Sequence, residues 1–270
     1  MTGAALDAWF ADTLRLARLL PGDVAPGILA DRFRNRLNWA PSSEPDLPWI
    51  VFDGPSAVGK DTQIGLVAEW LGDRGLSVRV VGGTGGGTDL GPLVQALIAT
   101  NAAVPGASRW LADFRIKAAA WETLRANAPA LRDADVVLSN RGPLSQLVYS
   151  AVSGGADLLV DASVLATTDA AVRTDDLHLL LSCPDDVVIG RAGRRAASGE
   201  KRLRSVDTPE FVSAANRAFH GLSTILPWVR AVDVAGGREE NFAAIRRVVA
   251  NTLDLQEGEL ERPESDGDAA

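Results

Sequence analysis

The stretch WIVFDGPSAVGK, at residues 49–60, constrains the fold of this chain more than any other. A short apolar run ends at Asp53, and Gly54, Gly59 and Lys60 follow with the spacing G-x-x-x-x-G-K. Glycines let the backbone curl so that successive N–H groups point inward, and a helix that begins at the lysine adds partial positive charge. The stretch therefore predicts a phosphate-binding loop between a strand and a helix. The alternative interpretation is a structural glycine-rich turn.

The residues after the lysine depart from the usual pattern of such loops. Asp61 stands where a serine or threonine is expected to bind Mg²⁺, and Thr62 supplies a hydroxyl one position later. Asp61 is interpreted either as a metal ligand together with Thr62, or as a charge that only stabilises the first helical turn. The sequence predicts that the loop binds ATP and Mg²⁺ through these residues: Gly54, Ser56, Ala57, Val58, Gly59, Lys60, Asp61 and Thr62.

Apolar runs that resemble buried strands alternate with helical stretches along the rest of the chain. This alternation predicts an α/β protein in which a parallel five-stranded sheet has helices on both faces, and together with the phosphate-binding loop it predicts a three-layer P-loop NTPase fold. The predicted strands are 49–53, 77–82, 135–139, 177–183 and 229–234, and the predicted helices are 60–73, 88–100, 107–131, 143–153, 184–198, 208–224 and 239–254. We expect this domain to span 48–255, after an N-terminal helical extension at 1–47 and before a disordered acidic tail at 256–270.

The amino-acid composition argues against several classes of function. The formal net charge of −8 argues against a general nucleic-acid binder, which would need a basic surface. A single cysteine excludes an internal disulfide framework and a cysteine-based zinc site. The first twenty residues contain charges within their apolar pattern, unlike a signal peptide or a membrane span. We therefore expect a cytoplasmic protein with no nucleic-acid or membrane partner.

From about residue 49 to residue 255 the chain resembles the thymidylate kinase family of P-loop nucleotide kinases. The segment VVGGTGGGTDLG, at 80–91, is similar to that family's T-R-E-P-G-G-T-x-L-G, but Gly83 occupies the position of the arginine that contacts the acceptor phosphate. In WLADFRIKAAAWETL, at 110–124, Arg115 falls on the position of a second phosphate-contacting arginine. Phe114 is a candidate for the family's stacking phenylalanine.

The segment DVVLSNRGPLSQLVYSA, at 135–151, is similar to the strand-end segment D-R-Y-x-x-S-x-x-A-Y-Q of the same family. Arg141, Ser145 and Tyr149 match, whereas Asn140 replaces the aspartate. Ligands of open α/β sheets bind at the carboxyl ends of strands, and an arginine there can clamp a phosphate with two hydrogen bonds. The alternative for Arg141 is a surface salt bridge.

The segment RRAASGEKRLRSVDTPEF, at 194–211, resembles the family's mobile lid, which we place at about 194–206. Cations on a closing lid would neutralise charge on a transferred phosphoryl group and exclude water. The alternative is a solvated basic helix end. The basic residues around this segment are Arg191, Arg194, Arg195, Lys201, Arg202 and Arg204.

The resemblance implies an ATP- and Mg²⁺-dependent phosphotransferase that acts on a nucleotide or nucleoside-like acceptor, with dTMP as the leading candidate, and it implies a homodimer. It implies catalytic roles for Lys60, Arg141, Arg194 and Arg202, and substrate contacts for Asp53, Arg115, Phe114, Ser145 and Tyr149. Ser56 and Asn140 stand where the family has acids, so we hypothesise that Asp61 takes over metal binding with Asn140 as its neutral partner. Two alternatives remain open, a catalytically silent nucleotide-binding relative and a kinase of a specialised small-molecule metabolite.

Overall fold

The computed structural model describes residues 47–82, 133–154, 176–199, 205–226 and 228–255. The predicted extension at 1–47 lies outside the described residues except for Leu47, and the tail at 256–270 lies wholly outside them. The same is true of the predicted helices at 88–100 and 107–131. Part of the predicted lid, 200–204, is also outside.

Five parallel strands form one sheet with the order β2-β3-β1-β4-β5. β1 lies at the centre, where Val51 pairs with Ser139 on one side and with His178 on the other. The strands are β1 (Trp49–Asp53), β2 (Val78–Gly82), β3 (Val136–Asn140), β4 (Leu177–Ser182) and β5 (Val229–Asp233). All five predicted strands are confirmed, with ends that differ by at most one residue.

Five α-helices connect and cover these strands in the described part of the chain. The helices are α1 (Lys60–Gly72), α2 (Pro143–Gly154), α3 (Asp185–Ala197), α4 (Pro209–Ile225) and α5 (Arg238–Thr252), and a short 3₁₀ helix occupies Ser205–Asp207. Their starts follow from local sequence. Thr208 caps α4 by accepting a hydrogen bond from the amide of Phe211, and Pro209 occupies the first turn, where its missing N–H costs nothing.

Apolar side chains on the two faces of the sheet form two main clusters in the described part of the chain. On one face Phe52, Leu138 and Leu181 pack against α1 and α5. On the other face Leu180 packs in one cluster with Leu147 of α2 and Phe219 of α4. Strands that are buried on both faces lack the alternation of an exposed sheet, which explains the continuous apolar runs in the sequence. The predicted three-layer architecture is confirmed.

The carboxyl ends of β1, β3, β4 and β5 meet at one edge of the sheet, because all the strands are parallel. Loops at this edge are where ligands bind in open α/β folds. Within the ranges described above, no helix has the length and apolar character needed to cross a membrane.

Candidate phosphate-binding site

The loop between β1 and α1 curls because three of its residues adopt left-handed backbone angles. The φ angles of Gly54, Ala57 and Gly59 are 133°, 61° and 113°. A Cβ at Gly54 would lie 2.4 Å from the carbonyl oxygen of Leu181 on the neighbouring strand, so only glycine fits there. Curvature of this kind is what the predicted phosphate-binding loop requires.

Lys60 is buried at the start of α1. Its Nζ atom donates hydrogen bonds to the carbonyl oxygens of Gly54, at 3.0 Å, and Pro55, at 2.6 Å. Burial lowers the pKa of Lys60 well below its ordinary value, the positive charge of Arg141 lowers it further, and the carboxylates of Asp53 and Asp61 oppose this shift. The ammonium group is thus held inside the loop in an environment that favours the approach of negative charge.

Asp61 and Asn140 meet across the loop. Asn140, the last residue of β3, donates a hydrogen bond from Nδ2 to Oδ1 of Asp61, in the first turn of α1, at 2.5 Å. Thr62 is exposed next to Asp61, and both residues line the same cavity. The pairing that we hypothesised between an acid on the helix and an amide on the strand is therefore present in the structure.

Arg141 directs its guanidinium group toward the loop. Its Nη1 donates to the carbonyl oxygen of Gly54 at 3.1 Å and to Oγ of Ser145 at 3.3 Å, and its Nη2 donates to the hydroxyl of Tyr149 at 3.3 Å. The guanidinium also lies over the Tyr149 ring, 4.6 Å from its centroid. The φ angle of Arg141 is 79°, a strained backbone angle for a residue other than glycine. Ser145 and Tyr149 therefore orient this arginine.

Asp53 is fully buried behind the loop and does not line the cavity. Its Oδ1 accepts hydrogen bonds from the backbone amides of Gly142, at 3.0 Å, and Ser145, at 2.9 Å. Burial acts to raise the pKa of Asp53, but the nearby His178, together with these two hydrogen bonds, outweighs the effect of burial and lowers the pKa. Asp53 therefore holds the turn that carries Arg141, and its predicted contact with the substrate stays a prediction.

Three arginines of α3 follow the spacing i, i+3, i+4, which places them on one helix face toward the loop. Arg191 donates from Nη1 to the carbonyl oxygen of Val58, at 2.8 Å, and from Nη2 to those of Val234, at 2.9 Å, and Gly236, at 3.3 Å. Arg191 thus ties the phosphate loop to the loop after β5. Arg194 is exposed and Arg195 half-buried, and both line the cavity.

A cavity of about 570 Å³ lies in front of the loop, and it brings together most of the predicted residues. Those that line it are Ser56, Ala57, Val58, Gly59, Lys60, Asp61, Thr62, Arg141 and Arg194. Ser145 is buried behind Arg141, and Tyr149 is half-buried beside it. Arg115, Phe114 and Arg202 lie outside the described residues, so their roles stay predictions.

Residues after β5 also line the cavity, although no sequence motif singles out their side chains. Gly236, Arg238 and Asn241 belong to this group. Asn241 is buried, and its Nδ2 donates to the carbonyl oxygens of Val234, at 3.0 Å, and Gly236, at 2.9 Å. A glycine pair followed by a helix start was the only available signal, since the hydrogen-bond partners of Asn241 depend on how the loop folds.

A curled glycine-rich loop after the central strand of a parallel sheet, faced by arginines from α3 and from the turn after β3, defines a P-loop phosphotransferase. A thymidylate kinase family model matches residues 52–223. The chain belongs to the thymidylate kinase family.

Individual relatives agree with this assignment. The chain is 35% identical over 153 residues to a thymidylate kinase of Thermomicrobium roseum, covering 56% of this chain and 69% of the relative. It is 31% identical over 214 residues to that of Clavibacter sepedonicus and 29% identical over 212 residues to that of Pelobacter propionicus, in each case covering 76% of this chain and 95% of the relative.

Proposed function

We propose that this protein transfers the γ-phosphoryl group of ATP to a nucleoside monophosphate, with dTMP as the first candidate acceptor. One observation supports this proposal most strongly. Lys60 and Arg141 arrive from different elements and donate hydrogen bonds to the same carbonyl oxygen, that of Gly54, at 3.0 Å and 3.1 Å. Two cations that converge on one point of a phosphate loop suit a phosphoryl group that passes between two phosphate-bearing substrates.

On the donor side, the loop amides and the start of α1 would bind the phosphates of ATP. In the structure the ammonium group of Lys60 donates hydrogen bonds to the carbonyl oxygens of Gly54 and Pro55. We infer that it exchanges these neutral acceptors for phosphate oxygens, because hydrogen bonds between charged groups are shorter and stronger than those to carbonyls. Arg194, with Arg202 from the predicted lid, would add positive charge as the site closes.

Asp61 and Thr62 are the residues that would hold Mg²⁺. Mg²⁺ prefers oxygen ligands and is usually bound by one or two carboxylates together with substrate phosphates, which fits a single carboxylate beside the loop. Asn140 orients this carboxylate through its 2.5 Å hydrogen bond. When bound, Mg²⁺ would neutralise charge on the phosphates.

On the acceptor side, Arg141 would orient the phosphate that receives the phosphoryl group. Ser145 and Tyr149 fix its guanidinium, and Asp53 fixes its backbone through the amide of Gly142. Arg115 and Phe114 complete the acceptor site in our proposal, as the family resemblance implies. We extend the proposal to a homodimer on the same ground, which sedimentation equilibrium can test.

The proposal is tested by a panel of phosphoryl acceptors. The protein is incubated with ATP and Mg²⁺ together with dTMP, other nucleoside monophosphates, thymidine or no acceptor, and the products are separated by chromatography. We expect dTMP to be phosphorylated fastest, and Lys60→Ala to abolish transfer. Because Gly83 occupies the position of a family arginine, faster transfer to another acceptor would reassign the substrate. ATP binding without transfer to any acceptor would identify a silent nucleotide-binding relative.

A further inference from the structure

His178 lies in the sheet behind the phosphate loop, between two buried carboxylates. Its Nδ1 is 3.9 Å from Oδ2 of Asp53, and its Nε2 is 4.0 Å from Oδ2 of Asp176. The side chains of all three residues are almost completely buried. The ring of Trp228 packs edge-to-face against the imidazole, with 4.9 Å between centroids. The imidazole is therefore buried away from solvent, and it does not line the phosphate cavity.

Neither ring nitrogen of His178 has a hydrogen-bond partner among the residues that the structure describes, and the same holds for Oδ2 of Asp53. A separation of 3.9 Å is too long for a direct hydrogen bond, so the interaction between these groups is one of charge. A buried carboxylate that lacks an opposite charge is strongly unfavourable. His178 lies beside Oδ2 of Asp53, and its proximity lowers the pKa of this buried carboxylate.

Asp53 in turn controls the turn between β3 and α2. Its other carboxylate oxygen accepts the amide protons of Gly142 and Ser145. The residue before Gly142 is Arg141, whose φ angle of 79° persists only if its surroundings hold it. A continuous series of contacts thus runs from His178 through Asp53 and Gly142 to Arg141.

We propose that His178 is a positioning residue, which keeps Asp53 in the orientation that holds the turn and presents Arg141 to the acceptor phosphate. The positioning of the turn stands on the contacts above, whereas its consequence for the acceptor rests on the proposed function. His178 touches no substrate in this account. Its effect reaches the reaction through the backbone of residues 141–145.

The turn that Asp53 holds responds to pH. Asp53 is faced by His178 from β4, by the charge of Lys60 from α1 and by the amides of Gly142 and Ser145, while His178 is also faced by Asp176. The pKa of Asp53 is lowered, so its hold on the turn is present above that pKa and is lost as the pH falls through it. Removing His178 should raise the pKa of Asp53. Asp53 would then lose its charge, and with it the strong hydrogen bonds to the amides of Gly142 and Ser145, at a higher pH.

The direct test is amide hydrogen exchange of Gly142 and Ser145, followed by NMR in the full-length protein without nucleotide. We expect His178→Phe to increase exchange at both amides by roughly tenfold or more, and His178→Gln to increase it by a smaller factor. Asp53→Asn should reproduce the increase. The matched control is Trp228→Phe, which alters the packing around the imidazole and should leave both exchange rates unchanged.

Unchanged exchange in both His178 variants, with an increase in Asp53→Asn, would overturn the proposal. Should His178→Phe fail to fold, His178→Gln decides alone. Steady-state kinetics of the His178 variants then test the consequence for the acceptor. We expect the KM for dTMP to rise by roughly tenfold while the KM for ATP stays unchanged. We also expect the acidic limb of the pH profile of turnover to move to higher pH. An increase in exchange in a protein that transfers no phosphate would reject the proposed function and leave the positioning role standing.

Discussion

Asn140 donates a hydrogen bond to Asp61 at 2.5 Å and thereby joins the carboxyl end of β3 to the first turn of α1. The family resemblance leads us to expect a hydroxyl after the loop lysine and an aspartate at the strand end. Here the acid lies on the helix and the neutral side chain on the strand. The negative charge beside the loop thus lies on the helix, at the position where we propose that Mg²⁺ binds.

The first prediction concerns this exchange of roles. Asp61→Ala should reduce Mg²⁺-dependent turnover by about 10²–10³-fold, because the proposed metal ligand is lost. The affinity for ATP in the presence of EDTA should persist, since the loop amides and Lys60 remain. Steady-state kinetics over a Mg²⁺ series and calorimetry without metal measure the two effects separately.

The matched control replaces both Asp61 and Asn140. Asp61→Thr combined with Asn140→Asp restores the arrangement that the family resemblance implies, and we expect it to recover most of the turnover that Asp61→Ala loses. Turnover that survives unchanged in Asp61→Ala would show that the carboxylate only stabilises the helix start.

The second prediction concerns the curvature of the loop. Gly54→Ala should lower the free energy of unfolding by about 2–4 kcal/mol, because the added Cβ meets the carbonyl of Leu181 and the φ angle is unfavourable for alanine. Gly65→Ala is the control, since a Cβ there meets nothing within 4 Å on the exposed face of α1. That change should stabilise the protein by about 0.5–1 kcal/mol. Equal effects of the two changes in urea unfolding would contradict the account.

The third prediction separates two neighbouring arginines of α3. Arg191→Met should lower the free energy of unfolding by about 2–4 kcal/mol, because the carbonyls of Val58, Val234 and Gly236 lose a charged donor. Arg194→Met should change it by no more than about 0.5 kcal/mol, since this side chain is exposed, while turnover falls. Thermal unfolding and kinetics on both variants check the distinction, which fails if Arg194→Met proves the more destabilising change.

The fourth prediction concerns the buried ammonium of Lys60, whose pKa is lowered by burial. Between that lowered pKa and the ordinary value near 10.5, the unfolded chain binds more protons than the folded one, so the free energy of unfolding rises with pH. Lys60→Met removes this contribution. The stability of the wild type relative to Lys60→Met should therefore increase as the pH rises toward 10.5. Urea unfolding of the nucleotide-free proteins measures it, and parallel pH curves would contradict it.

The strands and the phosphate loop could be predicted because their signals are local. Residues 49–53 are buried on both sides of the sheet and read as one apolar run, and Gly54, Gly59 and Lys60 define the loop by spacing alone. The start of α1 at Lys60 and that of α4 at Pro209 were likewise within a residue of their predicted positions.

The roles of Asp53 and Arg191 could not be predicted because they depend on contacts between distant segments. Asp53 accepts hydrogen bonds from backbone amides about ninety residues away. Arg191 of α3 donates hydrogen bonds to carbonyl oxygens in two loops that are remote in sequence. In the sequence, Asp53 is an acid beside the loop and Arg191 is one of many basic residues near the lid. Only the parallel order of the strands brings their partners to the same edge of the sheet.

The most direct test of the central claim follows ATP, Mg²⁺ and dTMP by ³¹P NMR in the presence of the protein. The claim is that Lys60 and Arg141 meet at the phosphate loop to pass one phosphoryl group between two nucleotides. It predicts that ADP and dTDP appear in equal amounts, and that neither Lys60→Ala nor Arg141→Ala produces dTDP. Unchanged ATP, or inorganic phosphate formed in place of dTDP, would contradict it.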